Sequence, residues 1–311
     1  MSILLDTSHY HKVELSHWSN SQDQSFRKCL LQWYWRTVLG LEPVRKSSPL
    51  HRGSSVHHAL EQFHTLDPKD RSYDILEHHF RTYYETQREA VIATAFDPTA
   101  EARDFDDWLL SVGIRTIKGI WERWGKDENV PKLSMTEYTD EVPIPGTDVK
   151  YQFRLDALVL NVARPFIFET KTMSKDYTSD YDEHDLQAPR NVWAINQSLV
   201  MPTPIEHVVY NFIVFPGKRS KGLLERRVFQ PSYKEIQFAI HDLSVVIQEA
   251  TRDDLAIIHS FSKACAWSCD FYHICKERKF GNPVDNILET EYSTRDNPTG
   301  AEYTDDESMS D

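Results

Sequence analysis

Phe153-Arg154-Leu155-Asp156-Ala157-Leu158-Val159 and, a few residues on, Ile167-Phe168-Glu169-Thr170-Lys171-Thr172 are the two segments on which the fold turns. Both are apolar runs of strand length. Strand alternation puts Arg154, Asp156 and Leu158 on one face of the first, and Glu169 and Lys171, two residues apart, on one face of the second. If the two strands pair, three charged groups converge. Two carboxylates are the oxygen ligands that Mg²⁺ or Mn²⁺ prefers, and a lysine beside them can orient a water or offset charge on a phosphate. Charges amid apolar strand residues need a reason, because burying an ion without a partner is costly. A structural salt bridge between Glu169 and Lys171 is the other reading, and an Asp followed by Glu-x-Lys is by itself weakly specific.

Around these segments the hydrophobic period changes twice. Residues 15–40, rich in Trp and Tyr, read as helical around Cys29 and end at Gly40. Gly53-Ser54-Ser55 opens a second helix, with the serines as caps and Val56, Leu60 and Phe63 as its apolar stripe. Residues 72–126 read as a helical insertion broken at Asp97-Pro98, with Trp108, Trp121 and Trp124 at helical intervals. Those tryptophans are core residues or stacking platforms for bases. Strands are expected at 141–145, 149–161 and 165–172, then a helix over 185–199. Strands at 208–215 and 224–229 follow, and a long helix from 232 to about 250. This is an α/β core flanked by helices, with no internal repeat.

The chain has 311 residues, 40% hydrophobic and 12% aromatic, ample for a buried core. No apolar run approaches the roughly 20 residues needed to cross a bilayer, and no leader is apparent at Met1, so a soluble cytoplasmic protein without a membrane partner is expected. In a reducing compartment the four cysteines are metal ligands or plain core residues rather than two disulfides. The net charge of -13 argues against a polyanion partner, but from Pro283 to Asp311 nine acidic residues face the single base Arg295, which leaves the body nearly balanced. Bases cluster at Arg45, Lys46 and Arg52, and again at Lys218, Arg219, Lys221, Arg226 and Arg227; each cluster is otherwise a solvated face. One domain over residues 1–282 is expected, followed by a disordered acidic tail at 283–311.

His57 and Glu61, at i and i+4, share one face of the helix after Gly53. Arg52-Gly53-Ser54-Ser55-Val56-His57-His58-Ala59-Leu60-Glu61 resembles the first motif of RecB-like nucleases of the PD-(D/E)xK superfamily. Asp156 and Glu169-Thr170-Lys171 match that superfamily's central motif in order and context, and Gln187 matches its glutamine motif. The usual tyrosine after that glutamine is absent, with Asn191 and Trp193 nearby instead. One cysteine before the core (Cys29) and three after it (Cys265, Cys269, Cys275) look like the iron-sulfur branch of this group, which includes the AddB nuclease domain and CRISPR-adaptation and phage relatives. The spacing between Cys265 and Cys269 is one residue longer than the familiar one.

The resemblance implies a restriction-endonuclease-like core with a central mixed sheet, and a DNA nuclease, most simply a single-strand exonuclease working from a free end in recombination, repair or replication. It implies Mg²⁺ or Mn²⁺ held by His57, Asp156, Glu169 and the Thr170 carbonyl, with Lys171 acting on water. Glu61 would orient the ligands, and Gln187 and Arg52 would grip the strand. Four thiolates would carry a [4Fe-4S] cluster that ties the terminal segments together, although zinc also accepts four thiolates. A cluster-stabilised, non-catalytic DNA-binding or scaffold subunit of a helicase or recombination complex is the rival reading. No Gly-x-x-x-x-Gly-Lys-Ser/Thr occurs, so any unwinding motor would be a partner chain.

Overall fold

The computed structural model describes residues 13–44, 48–93, 107–125, 132–173, 185–199, 201–217, 221–263 and 265–295. In chain order the elements are β1 (His17–Trp18), α1 (Asn20–Lys28), α2 (Leu30–Trp33), β2 (Leu41–Pro43), α3 (Ser48–Thr65), α4 (Tyr73–Ala93), α5 (Asp107–Ile120), β3 (Met135–Pro143), β4 (Lys150–Val159) and β5 (Phe166–Met173). They continue as α6 (Gln187–Ser198), β6 (Val208–Val214), β7 (Leu223–Phe229), α7 (Tyr233–Ala250), α8 (Cys265–Ser268), α9 (Tyr272–Lys279), α10 (Asp285–Glu291) and β8 (Tyr292–Thr294). Where one domain was expected over 1–282, the chain groups into two compact units. Met1–Arg45, Glu141–Phe153 and Phe238–Asp311 make the first, and Lys46–Asp140 with Arg154–Gln237 the second.

The second unit is an α/β layer built on a mixed sheet. Strand β6, Val-Val-Tyr-Asn-Phe-Ile-Val, is buried at every position, as a strand covered on both faces must be. It pairs in parallel with β5 from Ile167↔Val208 to Met173↔Val214, and antiparallel with β7 from Val208↔Phe229 to Val214↔Leu223. The turn into β7 needs Gly222: its φ is +74°, and a Cβ there would sit 2.4 Å from the Val214 carbonyl oxygen. One core joins α3, α4 and α5 to the sheet, with Val56, Leu60, Phe63, Phe80 and Val112 packed with Ile213 and Phe215. The expected insertion is therefore a helical layer, though its break at Asp97-Pro98 lies outside the described residues. Trp124 is buried and Trp121 packs against this core, while Trp108 is 41% exposed.

Helix α3 begins at Ser48, five residues before the expected start. Ser55 is not a cap: its hydroxyl donates to the His51 carbonyl, 2.8 Å away, one turn back within the helix.

In the first unit, β1 pairs in parallel with the opening residues of β4, His17 with Lys150 and Trp18 with Tyr151. Helix α1 is entered through a capping box, in which Ser19 Oγ accepts from the Gln22 N–H (3.3 Å) and Gln22 Oε1 from the Ser19 N–H (2.6 Å). Trp18, Phe26 and Trp33 interlock, with Phe26 and Trp33 edge-to-face at 5.0 Å, a geometry that adds about 0.5–1.5 kcal/mol per pair to burial. The start of the expected disordered tail is folded. Residues Asp285–Glu291 form a helix, and Tyr292–Thr294 pair antiparallel with Leu41–Pro43. Tyr292 stacks on Phe271 and is buried, so this stretch has an apolar anchor that its acidic composition masks.

Candidate active site

The β4–β5 ladder runs from Val159↔Phe166 to Ala157↔Phe168. Beyond that point side chains take over the backbone partners. The Asp156 N–H donates to Glu169 Oε1 at 3.4 Å, and the Thr170 N–H donates to Asp156 Oδ2 at 2.8 Å. Each carboxylate thus fastens to the other strand.

Helix α3 brings the imidazole to the same place. A Cβ on Gly53 would lie 2.8 Å from Thr172 Oγ1, so only glycine lets the helix pass this close to β5. One turn on, His57 Nδ1 stands 3.5 Å from Asp156 Oδ2. Glu61, a turn further, lines a small cavity with His57, Asp156 and Thr170, and sits 3.9 Å from His58 Nδ1.

Lys171 is held between partners. Its Nζ is 3.6 Å from Glu169 Oε2 and donates to Gln187 Oε1 at 2.8 Å, with the Tyr210 ring centroid 5.8 Å away. Asp185 fixes the start of α6 by accepting from the Gln187 N–H (2.9 Å) and from the Tyr210 hydroxyl (2.8 Å). Gln187, expected to grip a strand, here orients the lysine.

The electrostatics follow from burial. Glu169 is only 3% exposed, and burial, reinforced by the charge of Asp156 and partly offset by Lys171, pushes its pKa up to about 8. Burial also lowers the His57 pKa against the pull of Asp156, which favours the neutral imidazole that metals bind. The donor set suits a hard divalent ion: neighbouring ligands on a six-coordinate cation lie about 3.0 Å apart, close to the spacing of His57 Nδ1 and Asp156 Oδ2. Among the described residues no three His, Cys, Asp or Glu side chains, the four cysteines included, already close on a single point; in the acid pair, Glu169 leans on Lys171 and on the Asp156 N–H.

Two further site residues differ from the sequence reading. Arg52 is buried, with its guanidinium 4.0 Å over the Phe215 ring, so it packs the core rather than reaching for a strand. Glu137 was missed because β3 begins six residues before the expected strand. It lines the same cavity, carries the one positive φ (+47°) among described non-glycine residues, and lies 3.3 Å from Arg154. Burial raises its pKa, with Asp156 and Glu61 adding to the effect. No motif spacing marks it in the sequence.

The four cysteines gather in the first unit around one cavity of about 430 Å³. All are free thiols. Cys29 is an extended residue interrupting the helix between α1 and α2 (φ -164°), Cys265 starts α8, and Cys275 lies within α9. Burial raises the pKa of Cys269 and Cys275, and each also feels neighbouring thiols. The Ser262 N–H, 3.4 Å from its sulfur, lowers that of Cys265. His259 Nδ1 is 3.7 Å from Cys275 Sγ.

An acid pair and a lysine at a parting of two sheet strands, with a helix-borne histidine alongside, is an arrangement suited to phosphodiester hydrolysis. Residues 17–276 match the PD-(D/E)XK nuclease superfamily, and the chain belongs to it. Two solved structures are similar at low identity. An exonuclease candidate from Eubacterium rectale shares 13% identity at a TM-score of 0.49, covering 82% of this chain and 87% of that one. The protein SSO0001 shares 16% identity at a TM-score of 0.30, covering 61% and 79%. No curated protein matches.

Proposed function

We propose that this protein is a Mg²⁺- or Mn²⁺-dependent DNA nuclease acting on single strands from a free end. One observation carries the reading: where the β4–β5 ladder stops, Asp156 and Glu169 exchange backbone partners while His57 and Lys171 converge on the same two carboxylates. His57, Asp156, Glu169 and the Thr170 carbonyl would hold the ion, whose chemistry is to lower the pKa of a bound water and offset charge on the phosphate. Glu61 and Glu137 surround the ligands with negative charge and favour a cation over an empty site. Lys171, pinned by Gln187 and Glu169, presents an ammonium group that positions the attacking water. The preference for a single-stranded end, and a helicase or recombination protein as partner, rest on the resemblance to the RecB-like iron-sulfur group. The four cysteines around one cavity support a [4Fe-4S] cluster with a structural role; zinc is the other metal they would take.

Labelled linear single- and double-stranded DNA and circular single strands, incubated with Mn²⁺ or EDTA, test the reading. Cleavage of linear single strands that needs Mn²⁺ and disappears in Lys171→Ala, with DNA affinity and melting temperature retained, is expected. Full activity in Lys171→Ala overturns the assignment, and binding without cleavage in the unaltered protein favours the scaffold reading. Cutting of circles makes the enzyme an endonuclease. Absorbance near 400 nm in the purified protein distinguishes iron-sulfur from zinc.

A further inference from the structure

Residues 258–262 form neither helix nor strand, yet they are tied down around the cysteines. The Ile258 carbonyl accepts from the N–H of Leu31, two residues beyond Cys29, at 3.3 Å, and Ile257 just before it is buried. At the other end the Ser262 N–H donates to Cys265 Sγ at 3.4 Å, with Ser262 Oγ 3.7 Å and the Ser260 carbonyl 3.9 Å from the same sulfur. Between these anchors His259 Nδ1 stands 3.7 Å from Cys275 Sγ. The Phe261 ring stacks on the imidazole, with centroids 5.1 Å and planes 15° apart, and so sets its orientation. One short segment thus reaches two of the four sulfurs.

The donor set fits a thiolate-bound metal. The four free thiols line one cavity with His259, and burial raises the Cys275 pKa while the charges of Cys269, Cys29 and Cys265 add to the effect. A free thiol donates or accepts in a contact with an imidazole, but a metal-bound thiolate only accepts, so the ring must then carry its hydrogen on Nδ1. We propose that His259 is a positioning residue of the cysteine metal centre, donating its Nδ1–H to the Cys275 thiolate as Ser262 donates its backbone N–H to that of Cys265. Bonds of this kind hold a ligating group in place, slow the loss of metal and tune the reduction potential where the metal is an iron-sulfur cluster. The inference rests on the four cysteines being metal ligands, and not on the nuclease chemistry at Asp156 and Glu169.

Release of metal from the purified protein to a colour-forming chelator, followed without oxygen, tests this for iron and zinc alike. His259→Phe keeps a ring against Phe261 and deletes the nitrogen, and is expected to release metal about tenfold faster or more. His259→Asn loses the ring but sets its side-chain amide where Nδ1 stood, and should hold metal nearly as the unaltered protein does. If the metal is an iron-sulfur cluster, its midpoint potential should fall in His259→Phe, where the reduced state loses a donor, and return in His259→Asn. A His259→Phe chain purified empty beside a loaded His259→Asn chain is the extreme of the same result. Equal release from all three proteins overturns the proposal, and so does release from His259→Asn as fast as or faster than from His259→Phe, which would make the ring a packing element. Neither iron nor zinc in the unaltered protein overturns the metal reading of the cysteines and this inference with it, whatever the DNA cleavage assay shows.

Discussion

His64 shows how one buried side chain sets a pH limit. It is 3% exposed, edge-on to Phe63 and Phe168 at 5.2 and 5.3 Å. Burial, with the charges of Arg71 and Arg226 adding, drives its pKa from 6.5 down to about 3. The folded imidazole therefore stays neutral where the unfolded one takes up a proton. The stability this confers is complete above pH 6.5 and is lost progressively as pH falls toward 3. His64→Phe keeps the ring's bulk and removes the titration. Melting temperatures measured from about pH 7 down to about pH 4 should fall less steeply in the variant; parallel curves would show that His64 does not set the acid limb. The charged residues of the site were legible from strand alternation, because Asp156, Glu169 and Lys171 sit at fixed parities in apolar runs. Glu137 was not, because its place depends on a left-handed backbone residue that no periodicity reports. Arg52 misled for a related reason: a basic residue beside a motif looks like a surface group until Phe215 is seen beneath its guanidinium.

At the scale of the element, the contact between α3 and β5 governs where the imidazole stands. Gly53→Ala improves helix propensity by about 1 kcal/mol. It also places a methyl 2.8 Å from Thr172 Oγ1, and overpacking of this kind costs about 1–3 kcal/mol. A net loss of stability is expected, together with weaker Mn²⁺ protection against thermal unfolding as His57 is displaced. Thr172→Ala in the same chain removes the obstructing hydroxyl and should restore both; a double variant no better than Gly53→Ala alone would show that the helix does not depend on this approach. The start of α3 was misread because serines after a glycine imitate a cap, whereas Ser55 bonds backward to His51 within a helix already begun. The remaining elements were legible where period and turn residues agreed, as in the wholly apolar β6 and the Gly222 turn.

For the molecule as a whole, the folded stretch at 285–294 changes where the first unit ends. A chain stopped at residue 282 loses the β2–β8 pairing, the buried Leu288 and the Tyr292 ring on Phe271, along with the Tyr292 hydroxyl bond to the Asp270 carbonyl (2.5 Å). Compared with a chain stopped at 295, it should melt lower by about 5 °C or more, on the usual 2–4 °C per kcal/mol for domains of this size. Equal melting temperatures would make α10 and β8 dispensable. Composition hid this segment, since a few apolar anchors among acids weigh little in an average yet decide burial.

The parallel ladder between β5 and β6 leaves one more consequence. It runs unbroken from Ile167 to Met173, and β6 is paired along its whole length on its other edge as well. Backbone secured in this way exchanges its hydrogens for deuterium only through large openings of the unit. The carboxylate and ammonium groups carried by β5 are thereby mounted on a strand whose β6 edge is held along its whole length.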